Sequence, residues 1–158
     1  TIILDKSNQV DFHTDLHKII TPFRQKFKDL NWLLTDLDII ILDSDKFGEV
    51  AQLNNDSSSF KFSGQELTNI LVNRNIQFVW GVLSGFNGSI PDIPHDKLPF
   101  ADMNQNFWTK PDEFQISSSE IEIICWDSCS TIIKFKDDNL AKEFLTTFSD
   151  ARVLKNAL

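Results

Sequence analysis

The chain has 158 residues, of which 41% are hydrophobic and 24% charged, and its 23 Asp and Glu against 15 Lys and Arg give a formal charge of −8. Its 14 Phe and 4 Trp exclude a disordered chain, and the absence of a sustained period excludes coiled coils, collagen and repeat arrays. A net negative chain repels phosphate backbones, so we expect no nucleic-acid partner.

The first predicted element is a helix, because apolar residues recur there at spacings of three and four. Asp11 is the predicted N-cap. Pro22 should kink the helix or split it after Thr21, because proline lacks the N–H that the helix needs. The apolar positions of this helix are Phe12, Leu16, Ile19, Ile20, Phe23, Phe27 and Leu30.

The next segments carry β signals. The runs Trp32–Thr35 and Ile39–Leu42 are rich in β-formers and predict either one long strand or a hairpin. The polar stretch 43–59 predicts a surface loop, and the alternation at 60–62 predicts a further strand. Ser63 and Glu66 have the spacing of a capping box, which predicts the start of a helix.

The middle of the chain combines a buried strand with a long irregular segment. Ile76–Phe86 is apolar on both faces and predicts a buried strand ending in a turn. Residues 89–113 contain four of the five prolines, so the only regular structure expected there is a short turn near Phe107 and Trp108.

The last third predicts a hairpin followed by a helix. The strands are placed at 120–126 and 129–135 around an Asp127-Ser128 turn, with Cys125 opposite Ser130 and Cys129 opposite Trp126. Asp137 and Asp138 should cap a helix, and the tail after residue 150 is left unassigned. Together these elements predict one α+β domain over residues 1–158, with an antiparallel or mixed sheet and about three helices.

The sequence also predicts a compartment. An acid follows only three apolar residues at the N-terminus, which is too short for a signal-peptide core. The longest apolar run is far below the roughly 20 residues that a membrane helix requires, and two cysteines do not form a disulfide framework. We therefore expect a cytoplasmic protein without a membrane partner.

Candidate chemistry is sparse. His13 and His17 have the i, i+4 spacing that lets two imidazoles share a metal, but a zinc-protease helix needs Glu where Thr14 stands. Cys125 is expected to be buried in a strand, and neither a Gly-x-Ser-x-Gly elbow nor a phosphate loop occurs. We expect no metal, no cofactor and no catalysis, although a carboxylate pair among the 23 acids stays open.

Charge clustering is more informative. From residue 29 to 56 seven acids stand against one lysine, a net charge of −6, and from 92 to 113 five acids stand against two lysines. Such clusters are either solvated loops or docking surfaces for a cationic partner. The second cluster also carries aromatic residues, which are either interface anchors or core. The candidate partner-binding residues are Asp36, Asp38, Asp43, Asp45, Glu49, Asp102, Phe107 and Trp108.

Two segments resemble a known class of protein. The strand Phe78-Val79-Trp80-Gly81-Val82, and the hairpin over 119–128 that leads into an acid-capped helix, resemble immunity proteins of bacterial contact-dependent growth inhibition and polymorphic toxin systems. The hairpin and helix are also similar to a family of small bacterial proteins without an assigned activity. Together the resemblances cover roughly half of the chain, and they supply framework rather than site residues.

The resemblance implies an inhibitor that binds a cognate toxin C-terminal domain stoichiometrically. Such toxins are often basic nucleases, and an acidic surface can occlude their cationic groove. The competing hypotheses are an adaptor for an endogenous basic protein and a small enzyme that uses His13 and His17. A single-strand nucleic-acid binder that stacks bases on its aromatics is a further alternative, which the charge opposes.

Overall fold

The computed structural model describes residues 1–43, 53 and 58–155. The strands are β1 (Ile2–Leu4), β2 (Asn31–Ile41), β3 (Ser59–Ser63), β4 (Ile76–Phe86), β5 (Ile121–Trp126), β6 (Ser130–Phe135) and β7 (Arg152–Val153). The helices are α1 (Leu16–Ile19), α2 (Arg24–Asp29), α3 (Gly64–Asn73), α4 (Asn106–Thr109) and α5 (Asp138–Thr147), with 3-10 helices at Thr21–Phe23 and His95–Lys97. The predicted α+β class is confirmed.

The described strands form one seven-stranded sheet in the order β3-β2-β4-β5-β6-β1-β7. Every neighbouring pair is antiparallel, so the first of the two predicted sheet types is the correct one. β1 and β7 were not predicted. β1 pairs with β6, and β7 closes the sheet against β1.

The first predicted helix is divided, as Pro22 indicated, but its start was wrong. Asp15, not Asp11, is the N-cap of α1, and its side chain accepts a hydrogen bond from the Lys18 N–H. The preceding residues form a turn in which the Asp15 N–H donates to Phe12 O at 3.1 Å. The apolar spacing therefore runs through a turn, a helix, a 3-10 helix and a second helix, all facing the same core.

β2 resolves the alternative between one strand and a hairpin. It is a single strand of 11 residues, and its register with β4 shifts between Thr35 and Asp38. Asp36 lies at this irregularity with φ of 52°. Most of the loop predicted over 43–59 lies outside the described residues, while Leu53 is buried in the core.

The predicted caps are confirmed. Ser63 and Glu66 form the capping box of α3, and the Asp137 side chain caps α5 by accepting from the Asn139 N–H. The bounds of β4 agree with the prediction.

The hairpin register was wrong by one residue. Cys125 pairs with Thr131 and Trp126 pairs with Ser130. Cys129 belongs to the turn instead of the strand, because its N–H donates to Trp126 O at 3.0 Å.

The sheet has two differently covered faces. On the helical face, α1, α2, α3 and α5 pack over alternate strand residues such as Leu34, Leu83 and Ile123. On the other face lies the segment 99–116, which we call the strap, and Ala101 and Phe107 of the strap pack against the sheet. The sheet-side members of this second core are Ile3, Val82, Ile124 and Ile132, joined by Leu154.

Candidate functional site

A row of polar and aromatic residues lies at one end of the strap face of the sheet. Asp38 of β2 is paired with Trp80 of β4. Trp80 lies next to Gly81, which is paired with Cys125, and Trp126 follows Cys125. Because paired residues project to the same side of a sheet, this register brings the Asp38 carboxylate beside the Trp80 indole, with Trp126 on the next strand.

Three of the four tryptophans, Trp80, Trp108 and Trp126, form one aromatic cluster. Trp80 packs edge to face on Trp126, with ring centroids 5.1 Å apart and an interplanar angle of 74°. Trp108 of the strap approaches the same indole at 5.4 Å and 85°. All three tryptophans are half-buried. Edge-to-face packing fixes the orientation of the three indoles. Because each indole is only half-buried, part of each ring is at the surface.

The strap is tied to the sheet by a partly buried carboxylate contact near this cluster. The N–H groups of Ala101 and Asp102 donate to Asp36 Oδ2 at 2.7 and 2.9 Å. Asp36 therefore serves within the protein to place the strap. Asp102 itself is exposed, and Met103 beside it is 81% exposed.

A buried ion pair holds the other part of the strap. Lys134 Nζ lies 2.8 Å from Glu122 Oε1, and the two side chains are 2% and 0% exposed. The Gln115 N–H donates to Glu122 Oε2 at 2.8 Å, and Lys134 Nζ donates to Glu113 O. The lysine also lies 5.1 Å from the Phe107 ring centroid. The two buried charges thus satisfy each other and also bind backbone groups of the strap.

The segments that carry the tryptophans contain acids but no bases. The four segments that build this end of the face, 31–41, 76–86, 98–109 and 124–132, contain four aspartates and neither Lys nor Arg. One of the four, Asp127, is exposed in the hairpin turn, whose Ser128 N–H donates to Val79 O next to Trp80. We call the surface formed by Trp80, Trp108, Trp126, Asp38, Asp102 and Asp127 the acid–aromatic patch.

Backbone strain coincides with this region. The non-glycine residues with positive φ in the described chain are Asp36, Met103, Asp127 and Ser128. Such conformations are costly for residues with a Cβ and persist only where surrounding contacts enforce them. All four lie in the segments that build or flank the patch.

The other predicted acids have different surroundings. The Asn75 N–H donates to Asp43 Oδ1 at 3.1 Å, and Arg74 Nη1 lies 3.9 Å from Asp43 Oδ2. Asp43 therefore helps to join the end of β2 to the start of β4. Asp45 and Glu49 lie outside the described residues.

The structure separates the two predicted aromatic anchors. Phe107 is 1% exposed and packs on Trp126 with ring centroids 5.8 Å apart, so it supports the cluster from inside. Trp108 stays half-buried at the surface. Of the eight predicted residues, the structure places Asp38, Asp102 and Trp108 in the patch. Phe107 lies beneath it, and Asp36 holds the strap beside it.

Trp80, Trp126 and Asp127 were missed as site residues. The two tryptophans lie in strands that the hydrophobic pattern predicts as buried, and the aspartate lies in a turn. The available signal was the alternation in β4 and β5, which places Trp80 with Val82, and Trp126 with Ile124, on one face.

Among the residues considered for catalysis, the two histidines do not share a helix and Cys125 is buried. His13 precedes α1, whereas His17 lies within it, and His13 Nε2 accepts a hydrogen bond from the Ser7 N–H at 3.0 Å. The expected helical pair is therefore wrong. Burial raises the pKa of the Cys125 thiol well above its ordinary range, while a contact with Thr131 lowers it by less. A thiol of this kind is a poor nucleophile.

The described residues contain neither a metal-ligand cluster nor a helix suited to a membrane. They contain no group of three or more His, Cys, Asp or Glu arranged to hold a metal ion. Among the same residues, no helix has the length and apolar character needed to cross a membrane.

Comparison with protein-family models, with curated proteins and with solved structures found no match for this chain.

Proposed function

We propose that this chain is a non-catalytic binding protein, an immunity protein that neutralises a basic toxin domain by stoichiometric occlusion in the cytoplasm. The observation that carries the proposal is the acid–aromatic patch, where exposed carboxylates flank half-buried tryptophans and the contributing segments contain no base. Aromatic anchors surrounded by charges of one sign are typical of a high-affinity interface with a partner of opposite charge.

The chemistry of the patch supports binding to protein rather than to nucleic acid or membrane. A cationic protein surface gains from the carboxylates at long range, because clustered charge accelerates encounter. Nucleic acids and anionic membranes would be repelled by the same carboxylates. A toxin whose active site normally holds phosphates presents the required cationic surface.

The test first captures the partner protein and then measures whether this chain protects cells from it. The chain, immobilised as bait, is incubated with lysate of its native host, and the retained protein is identified, purified and titrated back by calorimetry. The proposal predicts one cationic partner that binds with unit stoichiometry, arrests growth when expressed alone and is harmless when this chain is co-expressed. A stoichiometric partner that is harmless alone would contradict the immunity function and favour the adaptor alternative.

The same assay addresses the enzyme alternative. His17→Ala should protect cells from the partner as well as the unchanged chain does, because His17 lies in α1 on the helical side of the sheet. Loss of protection in His17→Ala with an intact fold would contradict a binding function carried by the strap face.

A further inference from the structure

We infer that the acid–aromatic patch is a docking site for an arginine-bearing segment of the partner protein, with a guanidinium seated against Trp80 and Trp126 and paired with Asp38. This inference names the partner chemistry of the site and therefore rests on the proposed function for its biological meaning. Its physical basis is separate, and it can be tested on the isolated chain.

Asp38, Trp80 and Trp126 lie in a row across three neighbouring strands. Asp38 is exposed and directly opposite Trp80, and Trp80 contacts Trp126. An indole face attracts a cation through its quadrupole, and a carboxylate beside it adds a charge-assisted hydrogen bond. The paired positions of Asp38 and Trp80 thus offer both interactions to one cation.

The charge around the row is complementary to a cation. The neighbouring exposed carboxylates, Asp102 and Asp127, have the same sign as Asp38. The lysines in or against the strap are paired with glutamates: Lys110 with Glu113, Lys134 with Glu122 and Lys136 with Glu120. Among the described residues of the four segments, no internal Lys or Arg is present to occupy the indole faces. A second copy of this chain, which carries −8, would bring like charges together.

Arginine fits this surface better than lysine does. A guanidinium is planar, can stack on an indole and donate in parallel to a carboxylate, and is more weakly hydrated than an ammonium. Half-buried aromatics therefore favour arginine, because its desolvation costs less. A lysine-bearing segment should use the carboxylates without stacking.

The chain contains an internal control for this test. Trp32 is buried on the helical face, stacks on Phe27 with ring centroids 4.3 Å apart, and donates its Nε1–H to Phe27 O at 2.8 Å. Its indole signal should not respond to a ligand on the strap face.

The experiment is a nuclear magnetic resonance titration of the full chain, labelled with ¹⁵N at the tryptophan indoles. The probe is a short peptide of alternating arginine and glycine, with lysine-glycine and citrulline-glycine peptides as controls. We expect saturable shifts at Trp80 and Trp126, no shift at Trp32, weaker binding of the lysine peptide and none of the citrulline peptide. Asp38→Asn should lower the affinity for the arginine peptide by roughly threefold. Asp29→Asn, at the end of α2, should leave that affinity unchanged.

Several results would overturn the inference. These are equal binding of the lysine peptide, equal effects of the two aspartate substitutions, or shifts that include Trp32. Concentration-dependent shifts without peptide would point to self-association instead. If Asp38→Asn and Trp80→Phe bind a neutralised toxin as tightly as the unchanged chain, the site is wrong although the function stands. If the arginine peptide binds at the patch but no toxic partner is captured, the binding site is supported and the proposed immunity function is contradicted.

Discussion

Gly64 lies where two helices meet the end of a strand, and a side chain has no space there. A Cβ at this position would lie 2.1 Å from Phe27 O and 2.6 Å from Lys28 O. The Gly64 N–H also donates to Leu30 O at 2.7 Å, which fixes the start of α3 against the end of α2. The obstructing atoms are backbone carbonyls, which cannot rotate away.

Gly64→Ala should therefore lower the free energy of unfolding by about 3 kcal/mol, measured by urea denaturation. Gly88→Ala is the matched control, because no atom lies within 4 Å of its added Cβ. We expect the control to change stability by less than about 1 kcal/mol. Equal effects of the two substitutions would contradict the packing of α3 on α2.

Glu66 gives a pH-dependent prediction at the same end of α3. Hydrogen bonds from the Ser63 hydroxyl and the Ser63 N–H hold the pKa of Glu66 below its ordinary value of 4.5. A carboxylate with a lowered pKa contributes stability above its unfolded pKa, and that contribution is lost as the pH falls through the lowered value. Glu66→Gln should therefore reduce the loss of stability between neutral pH and about pH 3.

Unfolding curves at several pH values measure this effect. Glu143→Gln, at an exposed position in α5, removes the same charge and serves as the control. An unchanged pH profile in Glu66→Gln would show that the capping box does not carry the effect.

At the level of elements, the strap depends on the Glu122–Lys134 ion pair. Removing one charge leaves the other buried, so Glu122→Gln and Lys134→Met should each cost about 3 kcal/mol. The double variant should cost clearly less than the sum, because neither charge is then left alone. Denaturation of all four proteins gives the coupling energy, and additive costs would mean that the two side chains act independently.

The elements also show what the sequence could and could not predict. Local signals sufficed for the capping box at Ser63, for the Asp137 cap and for the break at Pro22, because each acts within one turn of chain. β1 and β7 were missed because strands of three and two residues have no period of their own. Their pairing joins the two ends of the described chain.

The site was also only partly predictable, because local signals do not show which strands pair. Asp38, Asp102 and Trp108 were identified from local composition. Trp80 and Trp126 become neighbours through pairing of β4 with β5, which are separated by the whole strap. The hairpin register was missed by one residue because the turn contains Cys129, and the sequence does not show which residue closes the ladder.

For the whole molecule, the distribution of charge matters more than its total. Lysines lie on both sides of the sheet, such as Lys28 in α2 and Lys110 in the strap, whereas the four segments that build the acid–aromatic patch carry none. Association with a basic partner should therefore depend on which acids are changed and not only on how many.

The most direct test is the association rate constant with the captured basic partner, measured by stopped flow across a range of salt concentrations. Asp38→Lys with Asp102→Lys should slow association by about tenfold at low salt and flatten its salt dependence. Asp29→Lys with Asp138→Lys makes the same change in net charge at exposed positions outside the patch and should have a much smaller effect. Equal slowing by the two pairs would contradict docking through the patch.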